Sequence, residues 1–373
     1  MLTKFFDSDR SSGRPDYFLL TIILIIVVFG LAMLSSASND ISFRDFGSTY
    51  HFFWRQVLRG FLPGLALFFF LSRVNYRFWE RFSVLFFAIS LILLVLVFIP
   101  GIGENYGRAQ SWLKLGPLAF QPAETVKLLL ILSLAGWFAY RGKERNQDFW
   151  NGLVPFVIFL GAIGLLIALQ PDYGTLAIVA VIAFVIYFVA GGRLSHIIGL
   201  AIAGLGALGI AIVMAPYRAA RLLAFFQPDL DPQGITYHIS QALIGIGSGG
   251  WFGLGFGQSQ QKFSYLPEVM GDSIFAVIAE ELGFIVTTGL IILFLMFVWR
   301  SLRLVQATSD DYARLVVVGI MSWFVFQAFF NIAAMVGLMP LTGIPLPFIS
   351  YGGTALATSL AAAGILINIS RQT

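Results

Sequence analysis

Gly271-Asp-Ser-Ile-Phe-Ala-Val-Ile-Ala-Glu-Glu-Leu-Gly-Phe-Ile-Val-Thr-Thr-Gly-Leu-Ile-Ile-Leu-Phe-Leu-Met-Phe-Val-Trp299 places Asp272, Glu280 and Glu281 ahead of an uncharged run, Leu282–Trp299. A helix crossing a bilayer needs about 20 apolar residues. The stretch therefore predicts a transmembrane helix that includes Asp272 to Glu281 and carries carboxylates toward its N-terminal end. Similar uncharged runs occur at Tyr17–Asn39, Phe82–Gly103, Asn151–Pro171, Tyr173–Gly192 and Leu194–Tyr217. Leu315–Ser370 also lacks charge, and Pro340, Gly343, Pro345 and Pro347 divide it into two helices. Gly60–Ser72 and Leu128–Tyr140 become full spans if Arg55, Arg59, Glu124 and Lys127 lie near helix ends.

The expected fold is an all-α polytopic membrane protein of about ten transmembrane helices. Composition agrees: of 373 residues, 58% are hydrophobic and 11% charged, against about 25% charged in soluble domains. Residues 1–373 read as a single integral-membrane domain, without an internal repeat or a second soluble domain. Net charge is +4, but no basic tail or stripe of the nucleic-acid-binding kind is present. With no cysteine in the chain, disulfides, thiolate zinc sites and a cysteine nucleophile are excluded.

An even number of spans puts both termini on one side. That side then collects most of the 23 basic residues, among them Arg10, Arg14, Arg73, Arg77, Arg141, Lys143, Arg145, Arg300 and Arg303. The positive-inside rule assigns it to the cytoplasm. The first run is long and shows no small-residue cleavage site, so it reads as a retained span. A loop of about 217–271, between the seventh and eighth spans, then faces outward. Its aromatic residues, including Phe225, Tyr237, Trp251 and Tyr265, argue against disorder.

Ionisable residues within membrane spans are costly and are functional candidates by default. Glu124 and Lys127 share a helix face, either as structural glue or as part of a site. At least one of Glu280 and Glu281 must face the protein interior, for packing or for catalysis. Asp272 sits where an N-cap is expected; it also sits where the long outer loop meets the membrane, the height for chemistry on a lipid-linked headgroup. Arg218 and Arg221 either clamp a phosphate or snorkel at the interface. His51, His196 and His238 lack metal-ligand spacing. The glycines of Gly245–Gly257 lack the flanking strand and helix of a dinucleotide loop, and no P-loop occurs, so no nucleotide is expected. These glycines read as tight turns with possible backbone anion contacts.

Four motifs in order resemble the SEDS family, the group of RodA, FtsW and SpoVE. They are Phe120-Gln-Pro-Ala-Glu-Thr-Val-Lys127, Gln170-Pro-Asp-Tyr-Gly-Thr175, Leu266-Pro-Glu-Val-Met-Gly-Asp272 with its continuation to Gly283, and Gly343-Ile-Pro-Leu-Pro-Phe-Ile-Ser-Tyr-Gly-Gly353. Leu34-Ser-Ser-Ala-Ser38 fits as well. Many members read Thr-Asp-Phe-Ile-Phe where this chain has Gly271-Asp-Ser-Ile-Phe275, and the aspartate is kept. Met339-Pro-Leu-Thr-Gly-Ile-Pro345 leans toward the FtsW branch over RodA.

The resemblance implies a ten-span bacterial peptidoglycan glycosyltransferase of the cytoplasmic membrane, acting on its outer face in cell division or shape maintenance. It would polymerise lipid II through β-1,4 links and release undecaprenyl pyrophosphate. The implied catalytic carboxylate is Asp272, which would also hold a divalent cation, Mg or Mn. Glu124 and Lys127 match the family's buried ion pair. Arg218, Arg221, Lys262, Glu268 and Ser350 are the expected substrate contacts, and the expected partners are a class B penicillin-binding protein (a transpeptidase) and other division or elongation proteins. The rival function is a lipid II flippase, which would place its essential charges at mid-membrane depth.

The topology has a direct check. A reporter fused after Thr373 or within residues 141–148 should report the cytoplasm, and a tag within 229–233 should be accessible from outside. External labelling of residues 141–148 would overturn this arrangement.

Overall fold

The computed structural model describes residues 13–373 apart from 107–108, 117, 214–218, 220–222, 224, 228–233 and 235. Helix α1 (Tyr17–Ala37) opens the bundle, capped by the Asp16 carboxylate, which accepts from Leu19 N. A short α2 (Asn39–Phe46) follows. The next span is continuous from α3 (His51–Gln56) through a π-helical turn (Val57–Phe61) into α4 (Leu62–Leu71). Arg55 and Arg59 therefore lie within this helix and not at its end. A turn, α5 (Arg77–Glu80), leads to α6 (Ser83–Leu96).

Between α6 and α7 (Pro122–Arg141) the chain forms a small antiparallel sheet in the order β1 (Gly103–Tyr106), β2 (Ala109–Leu115), β3 (Leu118–Phe120). After α8 (Lys143–Asn146) come α9 (Val154–Leu169), α10 (Tyr173–Val189) and α11 (Leu194–Val213). The described part of the long loop contains α12 (Tyr237–Gly249). Then α13 (Ile274–Ala307), α14 (Asp311–Met335) and α15 (Gly353–Gln372) complete the bundle. Among the described residues six helical segments are long and apolar enough to cross a membrane: α1, α7, Phe149–Leu169, α13, α14 and α15. The chain is a multi-span helical membrane protein.

Water drives little helix association inside lipid, so close backbone packing holds the helices together. A Cβ at Gly64 on α4 would lie 2.8 Å from the Ala357 Cα of α15, and one at Gly364 would lie 2.6 Å from the Phe68 carbonyl oxygen. The two helices touch backbone to backbone at both points.

Helix α13 does not run unbroken from the Asp272–Glu281 stretch along the Leu282–Trp299 run as the sequence predicts. Gly283 has φ 73° and ψ −175° and breaks it. Backbone groups freed within a membrane must find new partners, and the glycine-rich stretch after α12 supplies them. Leu254 N and Gly255 N donate to the Glu280 and Glu281 carbonyls at 2.9 Å each, while Phe284 N donates to Gly250 O at 2.9 Å and Ile285 N to Trp251 O at 3.2 Å. Two of the amides expected as anion contacts, those of Leu254 and Gly255, are thus engaged with α13. Glycine is required because the backbones meet: a Cβ at Gly283 would lie 2.3 Å from Gly253 N.

Gly283→Val should accordingly cost about 3 kcal/mol or more, combining left-handed backbone strain with overpacking. Gly289→Ala, where an added Cβ meets nothing within 4 Å, should change stability by less than about 1 kcal/mol. Thermal unfolding of the detergent-purified variants measures both. Equal unfolding temperatures would show that the break is not a structural requirement.

Candidate active site

The turn carrying Asp272 is fixed through its backbone. Glu268 adopts φ +49°, and its carbonyl accepts from Gly271 N at 2.9 Å and Ser273 N at 3.3 Å. Three successive carbonyls then receive outside donors. Tyr351 N donates to Met270 O at 2.8 Å, Ser350 Oγ to Gly271 O at 2.6 Å, and Asn331 Nδ2 to Asp272 O at 2.7 Å. The partly buried Asp272 side chain faces the Gly343 loop, where a Cβ on Gly343 would sit 3.9 Å from Asp272 Oδ2.

Asp272 is not the helix cap that the sequence predicts. Helix α13 begins at Ile274, so Ser273 occupies the cap position. Ser273 makes no capping bond; its hydroxyl meets Pro267 O at 2.7 Å and His238 Nε2 at 2.6 Å. His238, dismissed on spacing alone, therefore lies one residue from the candidate base.

Pro122 occupies the first turn of α7, which sets Glu124 and Lys127 one turn apart and both almost fully buried. Their ion pair is 2.8 Å long. Lys127 Nζ also donates to Gln327 Oε1 at 2.7 Å and lies 5.0 Å from the Trp323 ring centroid. Gln327 Nε2 in turn donates to Pro345 O at 2.8 Å. One turn along α14, Asn331 Nδ2 reaches Ile344 O at 2.8 Å as well as Asp272 O. The ion pair is thus joined to the Asp272 turn through two carboxamides that sequence reasoning missed. Their signal was polar side chains four apart in an otherwise apolar run.

A cavity of about 710 Å³ adjoins this turn. Arg55, Arg59, Glu268, Gly271 and Tyr351 line its polar part, and Leu67, Leu71, Leu128, Leu132, Ala361 and Ile365 line an apolar part between α4, α7 and α15. Glu268 is where a substrate contact was expected. Arg55 and Arg59 were read only as helix-end charges, yet both face this space. Cations beside an apolar groove suit a molecule with an anionic head and a hydrocarbon chain.

Two expected substrate contacts are placed otherwise. Lys262 is 2% exposed, pairs with Glu281 at 2.9 Å and donates to Gly257 O at 2.7 Å and Ser36 Oγ at 3.1 Å. Burial among these acceptors keeps it from the cavity. Glu280 accepts from the Ser259 hydroxyl and from Gln260 N at 2.9 Å, so the two glutamates hold the glycine loop and α1 against α13. The Ser350 hydroxyl is also engaged, donating to Gly271 O and accepting from Leu346 N at 2.7 Å. Arg218 and Arg221 lie outside the described residues.

Fold and site together define a polytopic membrane protein with a buried ion pair and a carboxylate beside an amphipathic groove. Residues 16–373 match the family described as "Cell cycle protein", FtsW/RodA/SpoVE. Stage V sporulation protein E of Bacillus subtilis is 40% identical over 96% of this chain and 97% of its own length. A probable peptidoglycan glycosyltransferase FtsW of Thioalkalivibrio sulfidiphilus is 36% identical over 98% and 91%. Among solved structures, a chain from "Structural coordination of polymerization and crosslinking by a peptidoglycan synthase complex" superposes with a TM-score of 0.77 at 29% identity, covering 96% of this chain and 98% of that one. Rod shape determining protein RodA of Thermus thermophilus gives 0.70 at 29% identity, with 96% and 97% covered. The chain belongs to the FtsW/RodA/SpoVE family.

Lys127→Ala would leave Glu124 buried without its cation, a loss of about 3–5 kcal/mol for a buried pair. The expected result is a large drop in folded yield and unfolding temperature, partly restored by Glu124→Gln in the same chain. Wild-type yield and stability in the single variant would show the pair to be incidental.

Proposed function

We propose that this protein polymerises glycan strands from lipid II at the outer face of the bacterial cytoplasmic membrane, with both termini in the cytoplasm. The coarser part of this reading, a membrane enzyme of peptidoglycan synthesis, follows from family membership and the named relatives. The observation that carries the finer part is a carboxylate turn at the polar part of an apolar groove. A flippase instead calls for essential charges midway along the spans.

In this reading the acceptor is the 4-hydroxyl of a lipid II sugar, and the donor is a glycan held through pyrophosphate to undecaprenol. Asp272 takes the hydroxyl proton as that oxygen attacks the donor C1. The C1–pyrophosphate bond breaks, the anomer inverts, and a β-1,4 link forms without a covalent enzyme intermediate. Arg55 and Arg59 neutralise the departing pyrophosphate, joined by Arg218 and Arg221 of the outer loop. The apolar groove holds a polyprenyl chain.

Among the described residues no three His, Asp or Glu side chains converge as a metal cage. A magnesium-like ion keeps few protein ligands and takes the rest from substrate phosphates and water. Asp272 would hold it, and the ion would add charge neutralisation at the leaving group. A class B penicillin-binding protein is the proposed partner, in line with the peptidoglycan synthase complex that contains the structural relative; other division or elongation proteins would join it.

Asp272→Asn tests the reading. Asp272 does not cap α13, and asparagine keeps the side-chain shape, so folding and insertion should be retained. Polymerisation of labelled lipid II by the purified protein with its transpeptidase partner should fall by about a hundredfold or more, as expected for loss of a general base. Polymer formation at the wild-type rate would remove Asp272 from the chemistry and favour the flippase.

A further inference from the structure

A second cavity, of about 520 Å³, lies between the C-terminal ends of α7 and α10 and the first turn of α14. Helix α7 has 20 residues, about 30 Å at the usual helical rise, so this cavity and the Glu124–Lys127 pair occupy opposite ends of the bundle. Its charged lining is Lys143, Asp311 and Arg314, and its apolar lining includes Phe188 and Val189. Phe188 is 55% exposed on the outside of the bundle.

The polar groups here are incompletely matched. Asn146 is 1% exposed and lines the cavity. Its Nδ2 donates to Phe138 O at 3.2 Å and Ala190 O at 3.0 Å, tying two helix ends together, while its Oδ1 is buried without a partner. Arg314 Nη2 holds Asp311 at 2.7 Å, but Arg314 Nε is buried without a partner. Lys143 makes no ion pair among the described residues. Asn146 Oδ1 and Arg314 Nε, buried and unpaired, are destabilising until something meets them, and Lys143 adds an exposed cation at the rim. The set calls for an anion to face Lys143 and Arg314, a hydroxyl donor for Asn146 Oδ1, and an apolar portion leaving past Phe188.

We propose that this cavity binds the headgroup of an anionic phospholipid, its phosphate between Lys143 and Arg314 and a headgroup hydroxyl donating to Asn146. Basic pockets between spans at one membrane face are suited to such headgroups, and Arg141, Arg145 and Arg193 add positive charge at this end. Inorganic phosphate shares the anion but brings nothing to the Phe188 wall. The inference is independent of the reaction proposed above.

Native mass spectrometry of the full chain in neutral detergent tests it, with phosphatidylglycerol, phosphatidylcholine and inorganic phosphate as probes. Wild type should retain phosphatidylglycerol over phosphatidylcholine by about tenfold, and Lys143→Gln with Arg314→Gln should remove that preference. Ala139→Phe fills the cavity from its α7 wall and should do the same with the charges intact, which keeps the test available should the double variant fold poorly. Equal retention by wild type and the folded variants, or of the two lipids by wild type, would overturn the proposal. Displacement of phosphatidylglycerol by millimolar inorganic phosphate would likewise overturn it by assigning the site to a free anion.

Discussion

The contact on which the site depends is the bond from the Gln327 carboxamide to Pro345 O. Backbone without regular structure survives at membrane depth only when its polar groups are paired within the protein. The segment between α14 and α15 meets that demand with Ile344, Leu346 and Phe348 all buried. Gln327 and Asn331 take two of its carbonyls, and Gln56 Oε1 accepts from Gly352 N at 3.0 Å. Lys127 and Trp323 both donate to the Gln327 oxygen, which orients the carboxamide so that its nitrogen faces the loop. A buried charge pair thus sets the direction of a neutral side chain, and that side chain sets the loop opposite Asp272.

Two sets of carboxylates do different work on the two sides of the α13 start. Glu280 and Glu281 are consumed by Ser259, Lys262, Ser36 and loop amides, and act as fasteners. Glu268 and Asp272 lie on the turn beside the cavity, and there the backbone departs from its preferred conformations: Glu268 and Phe348 both have positive φ. Such strain lasts only where surrounding bonds over-determine it. Here the bonds from Ser350, Tyr351 and Asn331 do so.

Much of this was legible in the sequence, because lipid leaves few options. The uncharged runs marked α1, α9, α14 and α15, and the scarcity of charge made Glu124, Lys127 and Asp272 conspicuous. The start of the second span at His51 was hidden because Arg55 and Arg59 interrupt its apolar run; they stay helical because their side chains face a cavity. The Gly283 break was invisible because glycine is common in membrane helices, and only its contact with Gly253, far upstream, distinguishes it. Gln327 and Asn331 were passed over because neutral carboxamides, unlike charges, do not register as costly in an apolar run. Lys262 was misassigned because its position in the outer loop does not reveal that it turns inward to Glu281. The strands at 103–120 leave little trace in the sequence because they are short and keep one face polar, with Lys114 exposed beside buried Leu113.

A single residue, Gln121, separates β3 from α7, and its amide is already held by Thr354 Oγ1 at 3.2 Å. The sheet therefore has no slack of its own and behaves as a rigid handle on α7. The strands thus adjoin the first turn of α7, the helix that carries Glu124 and Lys127. Lys127 and Gln327 continue the contacts to the loop facing Asp272, so the sheet and the candidate site belong to one bonded unit.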